Sequence, residues 1–314
     1  MDYYHQLKKS QLNFQVIIPF LKFNQELEKE LLVKKIKIFL KTEKLFIISP
    51  TDETIIWAQD HWRDCHSALP SKELQQTLKD LNIFAYHYKT EKNKAVESLL
   101  GRLKHIPEKR IKFPVTKKFN FKYYTWTTYE DVVIYSLSPL KTYPVGWHEF
   151  DEDKDFPPNR AYLKLWEVFT TQDLKIKPDD CVIEIGAAPG GWSWVLSQYF
   201  KKVYTFDRAD LAPQVKKIKN IEHHIGDAFK INPDEFTDCT WFFSDLICTP
   251  EKIHETIEFW LAHSRVKNFV CTIKFKGDTP FEVIDKLLKI PDSKIVRLYH
   301  NKNEVTWISS PKVT

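Results

Sequence analysis

From Asp179 onward, short apolar runs alternate with segments of helical period. The runs Val182–Ile185, Val203–Phe206, His223–Ile225, Thr240–Phe243, Asn268–Ile273, Lys294–Tyr299 and Val305–Ser309 are predicted strands. Helices are predicted between them, at Trp192–Phe200, Pro213–Lys219, Pro250–His263 and Pro280–Lys289. Strands that alternate with helices predict a doubly wound parallel α/β sheet joined by right-handed crossovers. Only Asn301-Lys302-Asn303 separates the last two strands. So short a connection predicts a hairpin and an antiparallel seventh strand.

The preceding half has a different rhythm. Asn24–Lys34, Asp52–Cys65, Ser71–Leu81 and Glu91–His105 are predicted helices. Ile36–Leu40, Leu45–Ile48 and Asn82–Tyr88 are predicted strands, and Phe119–Ser136 one or two more. Strands and helices mix here without a glycine turn, which predicts a smaller α+β domain over residues 1–148. The acidic, proline-containing segment 149–159 is read as a linker into a helix capped near Asn159. That helix, Arg160–Thr171, opens a second domain spanning residues 160–314.

Length, 314 residues, allows each domain its own core. No apolar run approaches the roughly 18 residues of a membrane span, and MDYYHQLKKSQ lacks the apolar centre of a secretory signal. Five cysteines are scattered without a CxxC pair, so neither a zinc site nor a disulfide framework is indicated. A reducing cytoplasm fits that usage. The net charge of +5 permits a nucleic-acid partner without demanding one. The basic stretch Lys109–Lys122 is interleaved with Phe113, Phe119 and Phe121, and Tyr123 and Tyr124 follow. Two readings stay open for it: an RNA-contacting surface, or a solvated edge strand whose lysines discourage aggregation. The pair His223-His224 has no further partners at metal-ligand spacing and is read as structural.

The chemistry concentrates in CVIEIGAAPGGWSW, Cys181 to Trp194. A buried strand stops at Gly186, a turn runs through Ala187, Ala188, Pro189, Gly190 and Gly191, and a helix starts at Trp192. Of the chain's seven glycines, three sit in this turn. Backbone can approach a nucleotide-like ligand closely there. A dinucleotide fingerprint would be G-x-G-x-x-G. Here the middle position is Ala188, followed by Pro189, which disfavours close approach of a pyrophosphate. S-adenosylmethionine has no phosphate, and its methionine end suits such a turn. Its ribose needs an acid at the end of the second strand, where Asp207 stands at the roughly 20-residue spacing of such contacts. Asp227, ending the third strand, is placed to accept from the adenine amino group. Each acid alone is equally well a helix cap; three features in order at successive strand ends point to a nucleoside site.

The motif IEIGAAPGGWSW resembles the cofactor motif of FtsJ-type S-adenosylmethionine-dependent RNA 2'-O-ribose methyltransferases, and the strand plan resembles that of Rossmann-like class I methyltransferases. The resemblance covers residues 157–310, about half the chain. It implies a Lys-Asp-Lys-Glu tetrad: Lys164 in NRAYLKL, Asp245 in FFSDLICTP, Lys274 in FVCTIKFKG and Glu304 in NEVTWI. Asp245 is expected to border the cofactor as well, with Trp192 beside the turn. Within the family, the RlmM-like branch, which methylates a cytidine ribose in large-subunit ribosomal RNA, is the look-alike. Its extra RNA-binding region corresponds to residues 1–145, without a motif-by-motif match. The family commonly has a proline soon after the aspartate, as in S-D-M-A-P; here it is Pro250, further along, so the substrate-side loop differs.

A ribose 2'-hydroxyl must lose its proton as it is methylated, and a lysine serves as base only when its pKa falls below its usual ~10.4. A neighbouring ammonium and partial burial push it down. Lys274 and Lys276 point to one side of a strand, so either can be the base; Lys274, nearer the sheet's carboxyl edge, is favoured. No metal is needed for in-line transfer. The implied partner is RNA, ribosomal RNA first; oligomeric state is left open. Two other readings are an enzyme for transfer RNA or for the messenger cap, the cap needing stacking aromatics such as Trp57, Trp62 or Trp126, and a non-catalytic RNA-binding module that keeps the fold.

Overall fold

A computed structural model describes the chain except residues 1, 91, 107–109, 116–121, 138–142 and 312–314. Lys109, Phe119 and Phe121 of the basic stretch therefore lie outside the described residues. The chain divides into two compact units, Met1–Ile111 with Thr116–Glu149, and Lys112–Val115 with Phe150–Thr314.

The first unit runs α1 (Tyr3–Lys8), β1 (Gln15–Pro19), α2 (Asn24–Val33), β2 (Ile38–Lys41), β3 (Phe46–Ile48), β4 (Ala58–Trp62), β5 (Cys65–Ala68), α3 (Lys72–Asp80), β6 (Phe84–His87), α4 (Lys94–Leu100), β7 (Tyr123–Tyr129) and β8 (Val132–Ser136). Among the described residues the strands form two sheets, ordered β2-β3-β1-β4 and β5-β8-β7-β6. β1 is a central strand the apolar pattern did not single out, although Val16-Ile17-Ile18 is β-branched and buried throughout.

The helix predicted over Asp52–Cys65 is not there; β4 occupies its middle, antiparallel to β1. The reason is tertiary. Asp60 is fully buried. Its carboxylate accepts from the His61 amide at 2.8 Å and the Trp62 indole at 3.0 Å. Once those donors are supplied, pairing with β1 buries more apolar surface than an amphipathic helix could. Trp57, Trp62 and Trp126 are fully buried, so none offers a face for a cap nucleotide. Tyr123 and Tyr124 are buried in β7 as well.

The second unit runs α5 (Tyr162–Thr171), β9 (Cys181–Ile185), α6 (Gly191–Leu196), β10 (Lys202–Asp207), α7 (Pro213–Lys216), β11 (Ile221–Ile225), β12 (Cys239–Ser244), α8 (Pro250–His263), β13 (Asn268–Lys274), α9 (Phe281–Leu288), β14 (Ser293–Val296) and β15 (Glu304–Ser309). Among the described residues seven strands form one sheet, ordered β11-β10-β9-β12-β13-β15-β14. β9 pairs in parallel with β10 and β12, so it is covered on both edges and reads as an unbroken buried run. β15 inserts antiparallel between β13 and β14. This is the predicted doubly wound sheet with its last strand reversed. The expected strand at 294–299 stops at Val296, and a turn takes its place.

Residues 150–159 pack within this unit. Phe150 is buried edge-on to Trp166 at 5.6 Å, and the Tyr162 hydroxyl donates to the Asp153 carbonyl at 2.9 Å. The strand order reverses beside β9, between the connections to β10 and β12. In such sheets that is where loops part to admit a ligand.

Candidate active site

Two loops meet at this switch point, one after β9 and one after β12. Gly186 has a φ of +75°, and a side chain there would come within 2.5 Å of the Leu246 backbone. Glycine is thus required both by its conformation and by the crossing loop. Gly190 has a φ of +108° and caps α6; an added Cβ would strike Val215 at 2.8 Å. At Gly191 an added Cβ would collide with the Asn159 carboxamide. Asn159 also accepts the Ala161 amide at 3.0 Å, so the entry to α5 is fitted against the motif turn.

Asp207 ends β10 beside the turn. It accepts the Ala188 amide at 3.0 Å through one oxygen and the Ala209 amide at 3.0 Å through the other. An ionised carboxylate has about four lone-pair sites, so acceptor capacity remains for a ribose diol. Asp227 follows β11. It accepts the Phe229 amide at 3.1 Å and meets Arg208 at 3.1 Å. Those partners hold its carboxyl below the usual range, the amide contributing most. Both acids are therefore caps and open acceptors at once. Ala187 is buried against Leu211 and Val215, and the Ala188–Pro189 peptide is cis. Trp192 is buried; its indole donates to the Ala161 carbonyl at 3.0 Å, fastening α6 to the start of α5.

Beneath the turn, Glu184 is fully enclosed between β10 and β12. One carboxyl oxygen accepts from Ser193 at 2.6 Å. Burial pushes its pKa up to about 8, and the nearby charges of Asp245 and Asp207 push the same way.

Lys164, Asp245, Lys274 and Glu304 come together from four segments. Lys164 stands on the first turn of α5, Asp245 follows β12, and Lys274 and Glu304 are directly opposite each other in the β13–β15 register. Lys164 Nζ lies 2.9 and 3.1 Å from the two Asp245 oxygens and 2.8 Å from Glu304 Oε1. Lys274 Nζ lies 2.9 Å from the same Asp245 Oδ1 and donates to the Asp245 carbonyl at 2.5 Å. One carboxylate therefore spans both ammoniums. Burial pulls the Lys164 pKa down, but Asp245 and then Glu304 more than offset it and leave the lysine above its ordinary value. Lys164 is thus a fixed cation rather than a group ready to give up a proton.

Lys164, Lys274 and Glu304 line a cavity of about 1100 Å³. Lys276, Lys302 and the exposed Ile247 line it too. Lys276 is exposed, one strand period beyond Lys274. Asn301 is buried and donates to Glu304 Oε1 at 3.2 Å. No sequence signal marks that bond, because it depends on how the β14–β15 turn folds. His223 is bonded to Thr205 and to the Ala209 carbonyl. Among the described residues no three His, Cys, Asp or Glu cluster as a metal site, and no helix is long and apolar enough to cross a membrane.

Comparison with known proteins bears on the same segment. Residues 157–274 match the model of the FtsJ-like methyltransferases. The Ribosomal RNA large subunit methyltransferase M of Halorhodospira halophila is 28% identical over 178 residues, covering 54% of this chain and 52% of that protein. Its counterpart in Laribacter hongkongensis is 27% identical over 175 residues, covering 50% and 49%. The chain spans about half the length of these curated relatives. An rRNA methylase of Streptococcus thermophilus of known structure aligns at 15% identity and a TM-score of 0.33, over 44% of this chain and 90% of its own.

Proposed function

We propose, from the FtsJ-like methyltransferase character of residues 157–274, that this chain methylates ribose 2'-hydroxyls of RNA, with large-subunit ribosomal RNA as substrate. The observation that carries the reading is the cluster of Lys164, Asp245, Lys274 and Glu304 at a cavity beside the glycine turn. The names of the curated relatives support the choice of RNA.

The glycine turn and the two strand-end acids fit S-adenosylmethionine. Gly186 and Gly190 let the turn take its left-handed path close to Leu246 and Val215, and Asp207 and Asp227 keep acceptor capacity for ribose and adenine. When bound, that cofactor supplies a methyl group already made electrophilic by its sulfonium charge. Gly186 through Gly191 would hold the cofactor's amino-acid end, and Asp245 would border it.

Lys274 is the general base. Its amine takes the 2'-hydroxyl proton as the ribose oxygen forms its bond to the methyl carbon and the carbon–sulfur bond breaks. Asp245 orients that amine through Oδ1 and the backbone carbonyl. Lys164, kept protonated by two acids, shares the Asp245 carboxylate with Lys274. Glu304 in turn fixes Lys164. Alignment supplies the remaining acceleration, since no bond beyond this displacement has to be made or broken. Lys276 and Lys302 line the same cavity and contact phosphates on either side of the reacting ribose.

The test compares ribose methylation across total RNA from cells with and without the gene, by nucleoside mass spectrometry. Loss of one 2'-O-methyl position in large-subunit ribosomal RNA is expected. An unchanged set of ribose methyls would refute the proposal.

A further inference from the structure

α5 brings a second buried charge to the site, one helical turn beyond Lys164. Glu167 is only 4% exposed. Residues at i and i+3 share a helix face, so Lys164 and Glu167 leave α5 on the same side. The Glu167 carboxylate accepts the Tyr299 amide at 2.8 Å and the His300 amide at 3.3 Å. Both amides belong to the turn that links β14 to β15, 297–303, and β15 begins at Glu304. Without Glu167, two peptide donors in a part-buried turn would lose their acceptor.

The turn is then braced from within. Asn301 Oδ1 accepts the Leu298 amide at 2.6 Å and the Thr306 hydroxyl at 3.4 Å, while its Nδ2 donates to Glu304 Oε1 at 3.2 Å. The Lys302 amide reaches the same Glu304 oxygen at 3.4 Å. Arg297, also buried, donates to the Lys302 carbonyl at 2.9 Å. Glu304 Oε1 is therefore met from one side by Lys164, 2.8 Å away, and from the other by the Asn301 amide of this turn. Two segments far apart in sequence, α5 and the 297–303 turn, are locked to each other by Glu167 and meet again at the Glu304 carboxylate.

Burying a carboxylate costs several kcal/mol and is often no better for stability than an apolar residue of equal volume. An ionised side chain so placed, on the helix that carries Lys164, has geometry to deliver. We propose that Glu167 and Asn301 are positioning residues for the transfer, a clamp that sets where Glu304 and Lys164 stand; this rests on the ribose-methylation reading above. Neither lines the cavity. Both act through the Glu304 carboxylate, and a displacement of about 1 Å at a reacting group costs on the order of 100-fold in rate.

The test is a kinetic double-mutant cycle on the full chain with ribosomal RNA. Glu167→Gln keeps one acceptor, and Asn301→Ala removes the bond to Glu304. Each is expected to lower kcat about 10- to 100-fold, with the KM for RNA and the affinity for S-adenosylmethionine within about twofold. In a Glu304→Gln background either change is expected to cost less than about twofold more. Losses that multiply in that background would overturn the clamp, as would single variants with wild-type kcat. The 13C resonance of Lys164 Cε gives a readout independent of turnover: its titration midpoint is expected to fall in Asn301→Ala, and an unmoved midpoint would contradict the proposal. A wild-type protein that methylates no RNA refutes the proposed function, whereas an active wild type with unaffected variants refutes the clamp alone.

Discussion

Both units bury charge, but the charges end on different partners. In the first, the Glu30 carboxylate accepts the Ile56 and Trp57 amides at 2.8 and 2.9 Å, and Asp60 accepts an amide and an indole. These acids substitute for missing backbone partners, and Glu30 also lies 3.5 Å from Lys34 Nζ. In the second unit, around the cavity, acids end on lysines: Asp245 on Lys164 and Lys274, Glu304 on Lys164. Burial without this kind of mutual charge is ordinary structural use. Two lysines sharing one carboxylate oxygen at the wall of a cavity are the feature on which the proposed proton transfer rests. Glu167 links the two modes, since it accepts two amides as Glu30 does but belongs to the helix of Lys164.

The largest effect is expected where the charge is chemical. Lys274→Ala should lower kcat by about 1000-fold, with S-adenosylmethionine affinity within about twofold, measured by single-turnover methyl transfer and calorimetry. Lys164→Met should cost about 3–5 kcal/mol of stability in urea unfolding, because it leaves the buried Glu304 without its lysine and Asp245 with Lys274 alone.

Glu184 sharpens the comparison by its pH dependence. Its folded pKa is raised to about 8 by burial, against ~4.3 for a free glutamate. Between those values the unfolded chain releases a proton that the folded chain keeps. Stability therefore falls as pH rises through that window, and the loss reaches roughly 3 kcal/mol near pH 7. Glu184→Gln should stabilise by about that much at pH 7 and by nothing at pH 4, read from urea unfolding at each pH.

The smallest effect belongs to the first unit. Glu30→Gln should cost about 1–2 kcal/mol, since it turns one acceptor into a donor facing an amide, and should leave methyl transfer within about twofold of wild type. A large loss of activity in that variant would erase the distinction between the two uses of buried charge.

The seven-stranded sheet of the second unit was legible because its signals are local. Its central strands are apolar runs, the glycine turn is rare in a chain with seven glycines, and Thr249 with Pro250 starts α8 at the predicted residue. The first unit was less legible because its pairing is non-local. β1 is short and buried on both faces, so it shows no alternation, and the polar residues of β4 are satisfied only by tertiary contacts. In the site, residue types at strand ends marked Asp207, Asp227 and Asp245. Glu167 carries no such mark: a glutamate on an amphipathic helix reads as solvent-facing until the 297–303 turn is seen folded over it. The unequal pairing of Lys164 and Lys274 also needed coordinates, because only they show which lysine receives two carboxylates and which receives one.

The central claim is that the acceptor is a ribose oxygen. The direct measurement is to incubate the protein with ribosomal RNA from cells lacking it and with S-adenosylmethionine bearing a deuterated methyl, then fragment the resulting nucleosides by mass spectrometry. The account predicts the label on the ribose fragment of a single nucleotide, and its disappearance with Lys274→Ala. Label on a base fragment, or label retained in full by Lys274→Ala, would contradict it.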